Sequence, residues 1–237
     1  MQRRQFAWLL VAFFGRAALV ASPLGLLLNR AWARDRRRLL PAKTDMGLLI
    51  GEDPAAVDPR NLPITPIAQF ETMGLTKHPV NPRRWRLNVA GAVTRPLSFS
   101  LDQLKALPVT QRAVLLICPG VFAYYARWHG VSVDAILKQA GISPRATQIK
   151  VSGPSGEFQK SETFPLAPAR TAKLFLAYGV NGVPLPEKHG FPLRLVAEGR
   201  VGSRWVKFVD RLEAVSGTPM PPDSGEGKPS QGPAYLP

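Results

Sequence analysis

A single cysteine, Cys118, closes the apolar run AVLLI at 113–117 and is followed at once by Pro119-Gly120. One thiol cannot staple a chain to itself, so packing of apolar surface must hold this fold, and the thiol is kept either by that packing or by chemistry. The 237 residues are 45% hydrophobic, enough for a packed core. A β-branched and leucine run ending in Pro-Gly reads as a buried strand that delivers its last side chain to a loop mouth, where catalytic residues and metal ligands often sit. A small buried hydrophobe is the commoner fate of a free cysteine. Both readings stand at this point.

The formal charge of +15 suits an anionic cofactor, an anionic substrate, nucleic acid or an acidic membrane surface. Apart from ARDRRR at 33–38, the basic residues are scattered through apolar segments and form no Lys/Arg block interleaved with aromatics, so nucleic-acid binding is not expected. Residues 1–33 carry Arg3, Arg4, Arg16 and Arg30 and no acid. Their order is basic, then apolar, then the small-x-small site Ala31-Trp32-Ala33, which is the build of a secretory signal. The RRQF pair points to the twin-arginine type, which exports folded, often cofactor-loaded proteins, and so to the periplasm. Retention as an N-terminal membrane anchor is the alternative, although Arg16 divides the apolar stretch into two parts, each shorter than the roughly 20 residues of a spanning helix.

Residues 34–60 lack a sustained period and are expected to be an extended lead-in. The segment 61–74, NLPITPIAQFETMG, offers Ile64, Ile67 and Phe70 as docking anchors. From residue 85 the pattern sharpens. WRLNVAGAVTRPLSFS alternates as two strands about a Gly-containing turn. SLDQLKAL predicts a short helix capped by Ser100 and stopped by Pro108, and SVDAILKQAG a second, capped by Ser132 and ended by Gly141. TQIKVSG and KLFLAYGVNG read as strands, as do, for the most part, LPEKHGFPLRLVAE and VGSRWVKFVDRLEAV. The Pro/Gly/Ser-rich stretch 217–237 reads as a flexible tail. The expected fold is one α+β domain at 61–216, mixed but mainly antiparallel.

A zinc site is not expected, because one Cys and three scattered His (His78, His129, His189) give no ligand pair at the right spacing. No phosphate-cradling glycine loop of the Walker or dinucleotide type is present. A Cys/His nucleophile pair with His129 or His189 stays open.

The order WRLNVAGAVTRPLSFSLDQLKALP, LLIC, W-x-G-V (Trp128, Gly130, Val131), NGVPLPEKHGFPLRLV, GRVGSRWVKFVDRLE resembles the molybdopterin-binding domain of the sulfite oxidase family over residues 85–216. The likeness is closest to the small periplasmic branch typified by the methionine sulfoxide reductase catalytic subunit, without the C-terminal immunoglobulin-like dimerisation domain of true sulfite oxidases. It implies a molybdenum-molybdopterin cofactor, with Cys118 as thiolate ligand to the metal and catalytic residue; a soft anionic sulfur suits such a metal. It also implies cofactor contacts from Phe70 and Glu71, Gly153, His189, Arg194, and the segment Trp205, Val206, Lys207. Arg194 would offer a bidentate fork to the pterin phosphate and Lys207 a point charge.

Sulfite-oxidising members continue after the cysteine with a Gly-Asn-Arg type segment, whereas this chain has Pro119-Gly120-Val121-Phe122, with Arg127 the nearest cation downstream. Phe122, Tyr124 and Tyr125 would give an apolar mouth suited to a neutral sulfoxide. The expected activity is therefore oxygen-atom transfer on a small substrate such as a sulfoxide, by a monomer that exchanges electrons with a haem partner. A sulfite-oxidising enzyme and a non-catalytic molybdopterin-binding module are the alternatives.

Overall fold

Local signals and tertiary burial divide the work of shaping this chain, as the computed structural model shows for residues 37–156, 160–166 and 173–218. The segment expected to be an N-terminal signal or anchor, and most of the stretch expected to be a flexible tail, lie outside the described residues. Two dipeptide strands, β1 (Arg38–Leu39) and β2 (Val57–Asp58), pair in parallel within the lead-in. Strands β3 (Leu87–Gly91) and β4 (Leu97–Phe99) form the expected antiparallel pair, with Leu87 and Val89 buried between exposed neighbours. Helix α1 (Leu101–Lys105) follows. Ser100 Oγ accepts from Gln103 N–H at 3.2 Å and the Gln103 side chain accepts from Ser100 N–H at 2.7 Å, a reciprocal cap that satisfies two orphan donors.

The next two strands are the spine of the molecule. β5 (Val109–Cys118) and β6 (Phe122–Ser132) pair antiparallel along their whole length, from Val109 opposite Val131 to Cys118 opposite Phe122. Pro119-Gly120-Val121 is thus a three-residue hairpin loop. Gly120 takes φ 72°, a left-handed value that favours glycine in such loops. β5 is longer than the apolar run that announced it, and β6 carried no strand signal. Phe122, Tyr124, Tyr125, Ala126 and Trp128 are all buried, so both faces of β6 are covered and the period-2 alternation is lost.

Helix α2 (Val133–Ala140) matches its expected bounds, with Ser132 Oγ accepting from Ala135 N–H and Gly141 in the left-handed conformation as C-cap. The remaining strands are β7 (Ala146–Ser152), β8 (Ser161–Pro165), β9 (Leu174–Val180), β10 (Val183–Pro184), β11 (Arg194–Ala197) and β12 (Arg211–Ser216). The segments 185–198 and 201–215 are less extended than expected: single 3-10 turns occupy Glu187–His189 and Gly202–Arg204.

Two five-stranded sheets result. One runs β10-β9-β6-β5 with β11 also paired to β9, and the other runs β4-β3-β12-β7-β8. Within them only β12 with β3 is a parallel pair, so the mainly antiparallel α+β expectation holds. Trp128, Phe175, Leu195, Leu212 and the apolar faces of both helices fill the main core. A second cluster lies on the other side of the spine, where Leu40, Leu49, Val57 and Leu62 of the lead-in cover Leu115, Ile117 and Tyr125. Docking of the lead-in therefore starts at Leu40, well before residue 61.

Candidate active site

Cys118 is half-buried at the C-terminal end of β5. The turn Gly202–Arg204 packs directly against this strand end: a Cβ on Gly202 would stand 3.2 Å from Ile117 O and 3.6 Å from Cys118 Cα. From the other side the segment after Phe70 approaches, and Met73 Sδ lies 3.4 Å from Cys118 Sγ. Burial pushes the Cys118 thiol above its ordinary value, while the positive charges of Lys160 and Arg194 pull it back.

Among the described residues, the cations Arg194, Lys207 and Lys160 converge on this place. Arg194, the first residue of β11, is almost fully buried; its Nη1 donates to His189 O at 3.0 Å and its guanidinium carbon lies 5.5 Å and 5.4 Å from the rings of Trp128 and Trp205. Its Nε has no acceptor among the described residues, and none of their carboxylates forms an ion pair with it. Lys207 Nζ donates to Met73 O at 2.8 Å, Thr72 Oγ1 at 3.0 Å and Lys188 O at 3.3 Å. Burial, reinforced by Arg194 and Lys160, brings its pKa down to about 7. Lys160 Nζ donates to Ser203 O, and Glu162 stands 3.8 Å from it while pairing with Arg204 at 2.8 Å.

His189 sits in the same wall, fully buried, with neither ring nitrogen bonded among the described residues. Burial first, then Arg194, Lys188 and Lys207, lower its pKa to about 4, so the ring is neutral at pH 7. Phe70 meets it edge-on at 5.5 Å and stacks on Tyr124 at 4.1 Å. Gly153 and Gly190 both press on Lys207: a Cβ on Gly153 would meet Lys207 O at 2.9 Å, and one on Gly190 would meet Lys207 Cβ at 3.0 Å. These glycines let the backbone close to a distance that side chains would forbid.

The fold thus gathers Cys118, His189, Arg194, Lys207, Phe70, Trp205 and the Gly153 backbone around one place. Glu71 is exposed beside Thr72, and Val206 is a core side chain whose carbonyl accepts from Leu195 N–H at 2.8 Å. The aromatic mouth inferred from the sequence does not form as expected. Phe122 and Tyr124 are buried in the stack beneath Phe70, and Tyr125, one residue out of phase, faces the lead-in on the opposite side. Met73, Thr72 and Lys160 are the neighbours that sequence reasoning missed. None of them belongs to a motif, and only the folded chain brings them to the thiol.

Among the described residues no group of three or more His, Cys, Asp or Glu could hold a metal by itself. A metal here must therefore bring most of its own ligands. A molybdopterin group would bring dithiolene sulfurs and negative charge of its own, and Cys118 would add a protein thiolate. The unpaired buried charge of Arg194 and the two idle nitrogens of His189 are the partners that such a group needs.

The comparisons agree with that fit. Residues 74–220 match the model of the oxidoreductase molybdopterin binding domain. Rat mitochondrial sulfite oxidase is 35% identical over 182 residues, 65% of this chain and 33% of that protein. The NADH nitrate reductase of Petunia hybrida is 33% identical over 160 residues, 54% of this chain and 17% of that protein. The crystal structure of the sulfane dehydrogenase SoxCD from Paracoccus pantotrophus superposes with a TM-score of 0.54 at 25% identity, covering 58% of this chain and 40% of that one. The chain spans a third or less of the length of these curated relatives. It is a member of the oxidoreductase molybdopterin-binding domain family of sulfite oxidases and nitrate reductases.

Proposed function

We propose that this molybdopterin-dependent oxidoreductase transfers an oxygen atom to or from a small sulfur oxo compound on the periplasmic side of a bacterial inner membrane. The observation that carries the reading is the buried Arg194, with no carboxylate partner among the described residues, beside a half-buried Cys118, in a wall whose His189 is held neutral. The molybdenum-molybdopterin group supplies, when bound, the two-electron redox change that oxygen-atom transfer needs. Cys118 would hold the metal as its thiolate. Arg194 and Lys207 would hold the phosphate, Lys207 by exchanging its present carbonyl and hydroxyl acceptors for phosphate oxygens. His189 would hydrogen-bond the pterin through a neutral ring, and Phe70 would keep water from it.

Sulfite oxidase and sulfane dehydrogenase among the relatives support a sulfur substrate. A sulfoxide of the methionine sulfoxide reductase type is the neutral member of that class. Its support in the sequence was the aromatic mouth, which the fold does not form, because Phe122 and Tyr124 are buried in the stack with Phe70. The twin-arginine-like residues 1–33 support export or membrane anchoring, and electrons would pass to or from a haem partner. The test is metal and pterin analysis of protein purified from a host that makes the cofactor. Near-stoichiometric molybdenum in the wild type and its loss in Cys118→Ala are expected; a wild type free of molybdenum would sink the reading.

A further inference from the structure

Lys160 belongs to none of the motifs that identify the family, yet it is placed where a substrate would meet the metal ligand. Its backbone is fixed, because Gly153 N–H donates to Lys160 O at 2.9 Å just ahead of β8. Its ammonium bonds Ser203 O in the turn that packs on Cys118. Glu162 is buried, pairs with Arg204 at 2.8 Å, and keeps 3.8 Å from Lys160 Nζ, close enough to steady the charge and too far to hydrogen-bond it.

The other two cations are differently engaged. Arg194 lies against the edge-on pair of Trp128 and Trp205 and is bonded to His189 O. Lys207 has three acceptors for its three donors. The Lys160 side chain keeps 37% of its surface accessible, and Ser203 O takes one of its donors. The hairpin loop Pro119-Gly120-Val121 carries no charge, and Arg127 lies with Tyr125 in its electrostatic reach, on the strand face away from the thiol. Among the described residues, a substrate anion arriving at Cys118 therefore finds its counter-charge at Lys160, just ahead of β8, and not in the segment that follows the cysteine.

We propose that Lys160 is the substrate-holding cation of this enzyme and that it selects a small oxyanion such as sulfite over a neutral sulfoxide. This rests on the molybdenum reading above and names the charge of its substrate. Lys160 would donate to an anion oxygen through the two hydrogens that Ser203 leaves. Arginine could take its place, and glutamine could not supply the charge.

The experiment is calorimetric titration of sulfate, an unreactive oxyanion, into molybdenum-loaded wild type, Lys160→Gln and Lys160→Arg, with molybdenum content measured on each. Alongside it runs a split of KM from kcat for sulfite. Lys160→Gln is expected to weaken sulfate and raise the KM for sulfite about tenfold or more, with molybdenum retained and kcat changed less. Lys160→Arg is expected to stay within about threefold of the wild type. Unchanged sulfate affinity in Lys160→Gln, or no sulfate binding by a loaded wild type, would overturn the proposal. Loss of molybdenum in Lys160→Gln would reassign Lys160 to the cofactor cradle. A wild type without molybdenum would instead fail the underlying reading, and this proposal with it.

Discussion

Met73 Sδ lies 3.4 Å from Cys118 Sγ, although Met73 leaves half of its own surface exposed. The thioether is a cover over the thiol, pinned through its backbone because Lys207 Nζ holds Met73 O. Met73→Ala should speed alkylation of Cys118 in cofactor-free protein several-fold without lowering Tm. Iodoacetamide labelling followed by mass spectrometry measures this, and an unchanged rate would show that the cover does not limit access.

Arg194 carries a buried charge that no carboxylate of the described residues offsets. Removing an uncompensated ion from a protein interior relieves a desolvation penalty of several kcal/mol per ion. Arg194→Met should therefore leave the cofactor-free chain as stable as the wild type or about 1–2 kcal/mol more so, while abolishing cofactor retention. Urea unfolding of the cofactor-free forms, beside pterin content after purification, separates the two effects. A destabilised and still cofactor-loaded Arg194→Met would contradict both.

His189 is held near pKa 4 in the fold against about 6.5 when unfolded. Between these values the unfolded chain binds the extra proton, so stability rises with pH across that window and is lost as pH falls from 6.5 toward 4. The drop assignable to this ring is of the order of 1–3 kcal/mol. His189→Asn should flatten the slope in cofactor-free protein, as read by denaturation midpoints at pH 7, 5.5 and 4.5. A slope that persists undiminished assigns the titration to other groups.

Gly153 has no room for a side chain: a Cβ there would come within 2.9 Å of Lys207 O. That atom is backbone and cannot swing aside. Gly153→Thr should cost about 1–3 kcal/mol by overpacking and should lower molybdenum content by displacing Lys207. Full occupancy with unchanged Tm would show that the two chains can part without loss.

Much of this fold was legible because local signals and burial agreed. Ser100 with Gln103, and Ser132 with Gly141, mark both helices, and Leu87 and Val89 alternate as a half-buried strand should. β6 was illegible for the opposite reason: covered on both faces, Phe122 to Ser132 shows no period to read. The 3-10 turns at Glu187–His189 and Gly202–Arg204 fall in sequence rich in apolar residues, where tertiary contact decides between strand and turn. Motif order named Cys118, His189, Arg194 and Lys207, which the fold brings near one another. Tyr125 was misplaced because neighbouring residues on a strand face opposite ways. Met73 and Lys160 had no sequence signal, since Met73 meets Cys118 across 45 positions of chain and Lys160 meets Ser203 across 43.

The hairpin tip has one more tie: Gly120 N–H donates to Ile50 O of the lead-in at 3.0 Å. Together with the turn at Gly202, this makes the tip a beam supported at both sides, so that bending it would displace two distant stretches of backbone at once. The thiol is accordingly carried on a stiff support. Any give around it falls to the Thr72–Met73 side, where the span is tied down chiefly by the ammonium of Lys207.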